Sequence, residues 1–155
     1  MKKILLMFPG QGSQTVGMGK DFYDKFPASK NIIDKLDDEL KTVIFNGPEE
    51  SLKDTKYAQP AIFAVSVAIF EALKNTIDLS KFEIATAGHS LGEYSALAVS
   101  EFFTFEDGLK MVKARGQFIG EASAENPGSM AALIGMKKET VIDVCKQASE
   151  IGVCE

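Results

Sequence analysis

The chain has 155 residues, 45% of them apolar and 25% charged, with a formal charge of −5. That fits one soluble globular domain long enough to bury a core, and the absence of a Lys/Arg stripe with interleaved aromatics argues against nucleic-acid binding. No apolar run approaches the roughly 20 residues that span a bilayer, and Met1-Lys2-Lys3 leads straight into a strand-like segment, so neither a leader nor a membrane anchor is expected and a cytoplasmic location is the default.

Residues 2–8, ending in Ile4-Leu5-Leu6-Met7-Phe8 and closed by Pro9-Gly10, read as a buried strand, parallel because its apolar run does not alternate. Helical spacing covers 17–26 and 28–41, where Ile32, Ile33, Leu36 and Leu40 make one apolar stripe. Pro48 before Glu49-Glu50 suggests a short helix with proline at its first position. Residues 60–73 are nearly apolar all round and predict a central helix buried on most sides. A second strand is expected over Phe82–Ala87, followed at once by Gly88-His89-Ser90-Leu91-Gly92 and a helix to about Val99. Thr104 caps the next helix, which runs to about Ala122. After Asn126-Pro127-Gly128 come a predicted strand (Ser129–Gly135), a helix (Glu139–Ser149) and a strand-like end (Ile151–Cys154). Alternating strands and helices imply an α/β architecture. The last strand–helix–strand unit buries little alone and stops inside an apolar segment, so a partial chain is expected.

Two cysteines, Cys145 and Cys154, and one histidine cannot build a disulfide framework or a four-ligand zinc site, so no metal is expected. Of 17 cationic side chains 16 are lysine; the single arginine is Arg115, and the single imidazole is His89. Gly88-x-Ser90-x-Gly92 between strand and helix is the nucleophile-elbow pattern. It holds the serine in a strained turn at a helix N-terminus, where free N–H groups favour an oxyanion. The N–H of Leu91 is the natural first donor. A second donor should come from another loop at the carboxyl ends of the strands, and Pro9-Gly10-Gln11-Gly12-Ser13-Gln14 supplies one, with the N–H of Gln11 available. A plain strand-to-helix turn and a phosphate loop are the other readings of that segment; the second lacks the Lys-Ser/Thr pair.

Adjacent side chains at a sharp turn point apart, so His89 is read as a packing or hydrogen-bonding neighbour of Ser90 and not as its base. Glu93, one turn into the helix, points away as well. Arg115 falls roughly 70° from the centre of a stripe of Phe105, Leu109, Val112, Gly116 and Ile119 at about 100° per residue. It can therefore snorkel over apolar surface or present a bidentate fork to a carboxylate from the margin of a cleft.

Phe8–Gln14, Gly88–Leu97, Lys113-Ala114-Arg115-Gly116 and Gly128-Ser129-Met130-Ala131-Ala132 together resemble the malonyl-CoA:acyl carrier protein transacylase family of bacterial type II fatty-acid synthesis. The resemblance implies an α/β-hydrolase-like parallel-sheet core, with residues 1–125 as the N-terminal part of a large subdomain. Residues 126–155 would be the first part of an inserted ferredoxin-like small subdomain. It implies Ser90 as the acylated nucleophile, the N–H groups of Gln11 and Leu91 as the oxyanion hole, and Arg115 as partner of the malonyl carboxylate. Malonyl would pass from coenzyme A to Ser90 and then to the phosphopantetheine thiol of acyl carrier protein. The implied partners are malonyl-CoA and acyl carrier protein, with no cofactor beyond the thioester substrate and no membrane partner. The carrier's acidity would require a local basic patch on this acidic chain.

Family members are about twice this length, and their catalytic histidine lies beyond residue 155. The chain alone is therefore expected to be inactive and poorly stable, since losing the base of such a unit costs up to ~10⁶ in turnover. A serine esterase or thioesterase with the same elbow, or a non-catalytic fragment, are the competing readings.

Overall fold

A computed structural model describes residues 2–128, 130–131 and 133–154. Strand β1 (Lys2–Phe8) pairs in parallel with β2 (Phe82–Gly88), Lys2 opposite Phe82 and Phe8 opposite Gly88. Both strands end at the same level, so the loops that follow them leave from one edge of the sheet. A parallel pair needs a long crossover, and here residues 9–81 supply it.

That crossover holds helices α1 (Lys20–Lys25), α2 (Pro27–Ile33), α3 (Asp38–Asn46), α4 (Glu49–Lys53) and α5 (Thr55–Thr76). After β2 come α6 (Gly92–Val99) and α7 (Phe105–Glu125). The core lies where α5 meets its neighbours. Phe63, Ile44, Leu91 and Val112 are fully buried, and Phe63 stacks on Phe105 with ring centres 5.6 Å apart. Thr104 caps α7, its hydroxyl accepting from the Asp107 N–H at 3.1 Å.

Several expected boundaries move. The helix read over 17–26 starts only at Lys20, because Gly17 and Gly19 both adopt positive φ. The helix read over 28–41 is two helices. Asp37 turns to extended backbone and caps α3 by accepting from the Leu40 N–H at 2.8 Å. The stripe itself survives the break, with Ile33, Leu36 and Leu40 all buried. Pro48 precedes α4 as its cap residue instead of opening it. Helix α5 begins five residues before Pro60, because the Asp54 carboxylate accepts from the Lys56 N–H at 2.9 Å and nucleates an extra turn.

Strand β1 is parallel as expected but not buried on both faces. Ile4, Leu6 and Phe8 are covered, whereas Leu5 and Met7 are exposed on the other face. Among the described residues the sheet has only these two strands.

Residues 126–155 form a separate compact unit containing α8 (Lys138–Ala148). The strands expected at 129–135 and 151–154 are not formed among the described residues of those segments, which are irregular; Ser129 and Ala132 lie outside the described residues. A strand is stabilised by a ladder partner, and the described residues of neither segment have one. Met130, Ile134, Ile151 and Val153 are nearly fully exposed in consequence. No helix among the described residues is long and apolar enough to cross a membrane. Nor do they contain a group of three or more His, Cys, Asp or Glu side chains placed to hold a metal ion.

Candidate active site

The turn after β2 is built on two positions where only glycine fits. A Cβ on Gly88 would overlap the backbone of Gly92 and Glu93, and one on Gly92 would come within 2.8 Å of the Phe8 carbonyl carbon and 2.9 Å of the Pro9 oxygen. Between them Ser90 is held at φ 53°, a left-handed conformation that a side chain rarely adopts. The turn is locked by the His89 N–H donating to Phe8 O (3.0 Å) and by the Gly92 N–H donating to His89 O (2.9 Å). Leu91 anchors it with a fully buried side chain, and Ser90 is left exposed.

The loop after β1 packs directly on this turn. A Cβ on Gly10 would lie 2.6 Å from His89 O and 2.8 Å from His89 Nδ1. The loop is braced internally by Ser13 Oγ donating to Gly10 O (2.8 Å) and by the Gly12 N–H donating to Gln14 Oε1 (2.7 Å). Among the described residues, neither the Gln11 nor the Leu91 backbone N–H donates to a protein acceptor. Unspent donors on two touching loops at a helix N-terminus are suited to an oxyanion.

Arg115 reaches the nucleophile from α7. Its Nη2 donates to Ser90 Oγ at 3.0 Å, its Nη1 donates to Gln59 Oε1, and its guanidinium lies 5.9 Å from the Tyr94 ring centre. Glycine again permits the approach: a Cβ on Gly116 would come 2.8 Å from Thr55 O, so α7 crosses close to the start of α5. Arg115 is half-buried at the margin of the α7 face formed by Phe105, Gly108, Val112 and Gly116.

His89 lies against Gly10, and among the described residues its side chain makes no hydrogen bond to Ser90. Glu93 is exposed. Among the described residues, Ser90 Oγ therefore has a cationic donor beside it but no base. A groove of about 820 Å³ lies along α7, lined by residues including Asp37, Tyr57, Lys113 and Glu121; Ser90 and Arg115 are not among them.

Sequence reasoning missed Gln59. It is buried, accepts from Arg115, and donates through Nε2 to Gln11 Oε1 at 3.0 Å; Gln11 Nε2 donates onward to Thr55 Oγ1 at 3.1 Å. Its signal was available: a lone amide beside Pro60 at the edge of a nearly apolar run. Both Gln59 and Thr55 stand on the extra turn of α5 that Pro60 concealed.

Residues 5–151 match the model of the acyl transferase domain family. The chain belongs to that family. It is 43% identical over 156 residues to the malonyl CoA-acyl carrier protein transacylase of Bacillus subtilis, covering 98% of this chain and 48% of that one. To the enzyme of the same name from Haemophilus influenzae it is 44% identical, with 97% and 49% covered. The crystal structure of an acyl-carrier-protein S-malonyltransferase from Bartonella henselae superposes with a TM-score of 0.83 at 33% identity, covering all of this chain and 51% of that one. The chain thus spans about half the length of the acyl transferase relatives it matches.

Proposed function

We propose that this chain is the nucleophile-bearing N-terminal half of a malonyl-CoA:acyl carrier protein transacylase acting in the cytoplasm in fatty-acid biosynthesis. The carrying observation is the 3.0 Å hydrogen bond from the chain's single guanidinium to Ser90. It puts a fork suited to a free carboxylate beside a strained, exposed serine. On this reading residues 1–125 belong to a hydrolase-like large subdomain and residues 126–155 open a ferredoxin-like small subdomain.

The chemistry follows in two half-reactions. Ser90 Oγ attacks the malonyl thioester carbonyl as its proton passes to a base. The tetrahedral oxyanion takes hydrogen bonds from the Gln11 and Leu91 N–H groups, and the C–S bond breaks to release coenzyme A, which regains a proton. The phosphopantetheine thiol of acyl carrier protein then attacks the malonyl-serine ester, and Ser90 leaves as the alcohol. Arg115 holds the distal carboxylate in both steps, so the acyl group is selected by its second charge. No described residue offers the base, which on this reading is a histidine from the part of the family's length beyond residue 155. No cofactor enters these steps.

The test is kinetic and uses the full-length gene product. Ser90→Ala should abolish acylation by malonyl-CoA, read as loss of the malonyl-serine adduct by mass spectrometry. Arg115→Lys should cut kcat/KM for malonyl-CoA by about 10- to 100-fold, since a hydrogen bond to a charged group contributes about 1.5–3 kcal/mol. An Arg115 variant with undiminished malonyl transfer would overturn the carboxylate-binding role of Arg115, and wild-type hydrolysis of simple esters without transfer would instead identify an esterase.

A further inference from the structure

We propose that Gln59 is a positioning residue that couples the carboxylate-binding guanidinium of Arg115 to the oxyanion loop at Gln11. This deepens the function proposed above and rests on its assignments of Arg115 and Gln11.

Gln59 is 2% exposed in a helix whose next residues are Pro60, Ala61, Ile62 and Phe63. A buried amide is tolerated when both its ends are satisfied. Arginine has donors and no acceptor, so the group facing Arg115 Nη1 must be the oxygen of Gln59. The nitrogen is thereby turned toward Gln11, where it requires an acceptor and finds Oε1. That in turn directs Gln11 Nε2 to the Thr55 hydroxyl. The result is a one-way chain from Arg115 through Gln59 and Gln11 to Thr55, with Arg115 donating separately to Ser90. Its polarity cannot be reversed, because the cation sits at one end.

This arrangement has a functional consequence. A substrate carboxylate that pairs with Arg115 can replace the Ser90 hydroxyl on Nη2 while the Nη1 bond to Gln59 persists. The guanidinium plane is held before substrate arrives. The same amide anchors the side chain of the residue whose backbone N–H meets the oxyanion. Gln59 touches neither reacting atom, so it acts through Arg115 and Gln11.

Arg115 is the chain's only arginine, so its side-chain nitrogen resonances can be read directly in the ¹⁵N-labelled 155-residue chain. In the unsubstituted chain the two Nη signals should be separate at low temperature. Gln59→Met, which removes both arms, should merge them and shift the Gln11 side-chain amide. Gln59→Glu keeps the acceptor for Arg115 but loses the donor, so the Nη signals should stay separate while the Gln11 amide alone moves. Merged signals in the unsubstituted chain, no change in Gln59→Met, or equal loss of both arms in Gln59→Glu would overturn the proposal. Should Gln59→Met lose backbone dispersion, Gln59→Glu decides.

A kinetic readout in the full-length gene product gives the second criterion. Gln59→Glu places a carboxylate against Arg115, so KM for malonyl-CoA should rise at least about tenfold through like-charge opposition. KM for a thioester without a free carboxylate should rise less, and an equal rise for both overturns the link from Gln59 to Arg115. The resonance experiment involves no acyl transfer, so it stands whether or not the transferase reading does.

Discussion

At the scale of single residues, the elbow depends on missing atoms as much as on Ser90. The Gly88 site is enclosed by backbone, which cannot swing aside as a side chain could. Gly88→Ala should therefore destabilise the chain by about 1–3 kcal/mol, the usual cost of overpacking, and move Ser90 off the turn. Gly120 gives the control: it lies in α7 with open space around a would-be Cβ. Gly120→Ala should stabilise by up to about 1 kcal/mol through helix propensity. Urea denaturation of the two variants should show shifts of opposite sign. The Gly-x-Ser-x-Gly spacing made Gly88, Ser90 and Gly92 legible in the sequence, because the close approach they permit is local. Gln59 was not legible in the same way. Its partners are 48 and 56 residues distant in the chain, and nothing local signals what a buried amide will face.

Among the elements, α3 and α7 are joined through one side chain. Asp37 caps α3 at the Leu40 N–H and pairs with Lys113 of α7 at 2.7 Å. The Lys113 ammonium, then the Leu40 N–H, hold the Asp37 carboxyl below its usual range. A carboxyl depressed in the folded state stabilises that state above its unfolded pKa, about 3.9, and loses the contribution as pH falls through the lower folded value. The carboxylate is about half exposed, so solvent screens the ion pair and the cap contributes most. Asp37→Ala should cost about 1 kcal/mol at neutral pH. Asp37→Asn, which keeps a capping oxygen, should cost less. The gap between wild type and Asp37→Asn in thermal unfolding should close as pH drops below 4 and reopen on return to neutrality. This junction also explains why the 28–41 stripe misled. Apolar spacing reports which face is buried, and Leu36 and Leu40 are buried; it does not report whether the backbone between them stays helical. Asp37 can cap from its side chain, and that local bond breaks the helix.

At the scale of the whole chain, two compact units divide at residue 125. In the second, the described residues between Asn126 and Lys137 are irregular and largely exposed. Limited proteolysis of the 155-residue chain should cut first within 126–137 and leave a resistant fragment close to residues 1–125. A first cut within α5 or α7 would contradict that order. In the first unit, the two strands carry helices on one side while Leu5 and Met7 stay uncovered on the other. Reading β1 as buried on both faces was a statement about its composition, and composition matches the buried strand of a larger sheet. The alternating strands and helices, the elbow, the Gln11 loop and the lone arginine were all set out by the sequence itself, because each depends on residue type and short spacing. Only the tertiary structure decided that Arg115 meets Ser90 and Gln59, that His89 turns to Gly10, and that residues 129–135 and 151–154 form no described strand. Those outcomes depend on which distant backbone comes within hydrogen-bond reach, and short-range pattern carries no record of that distance.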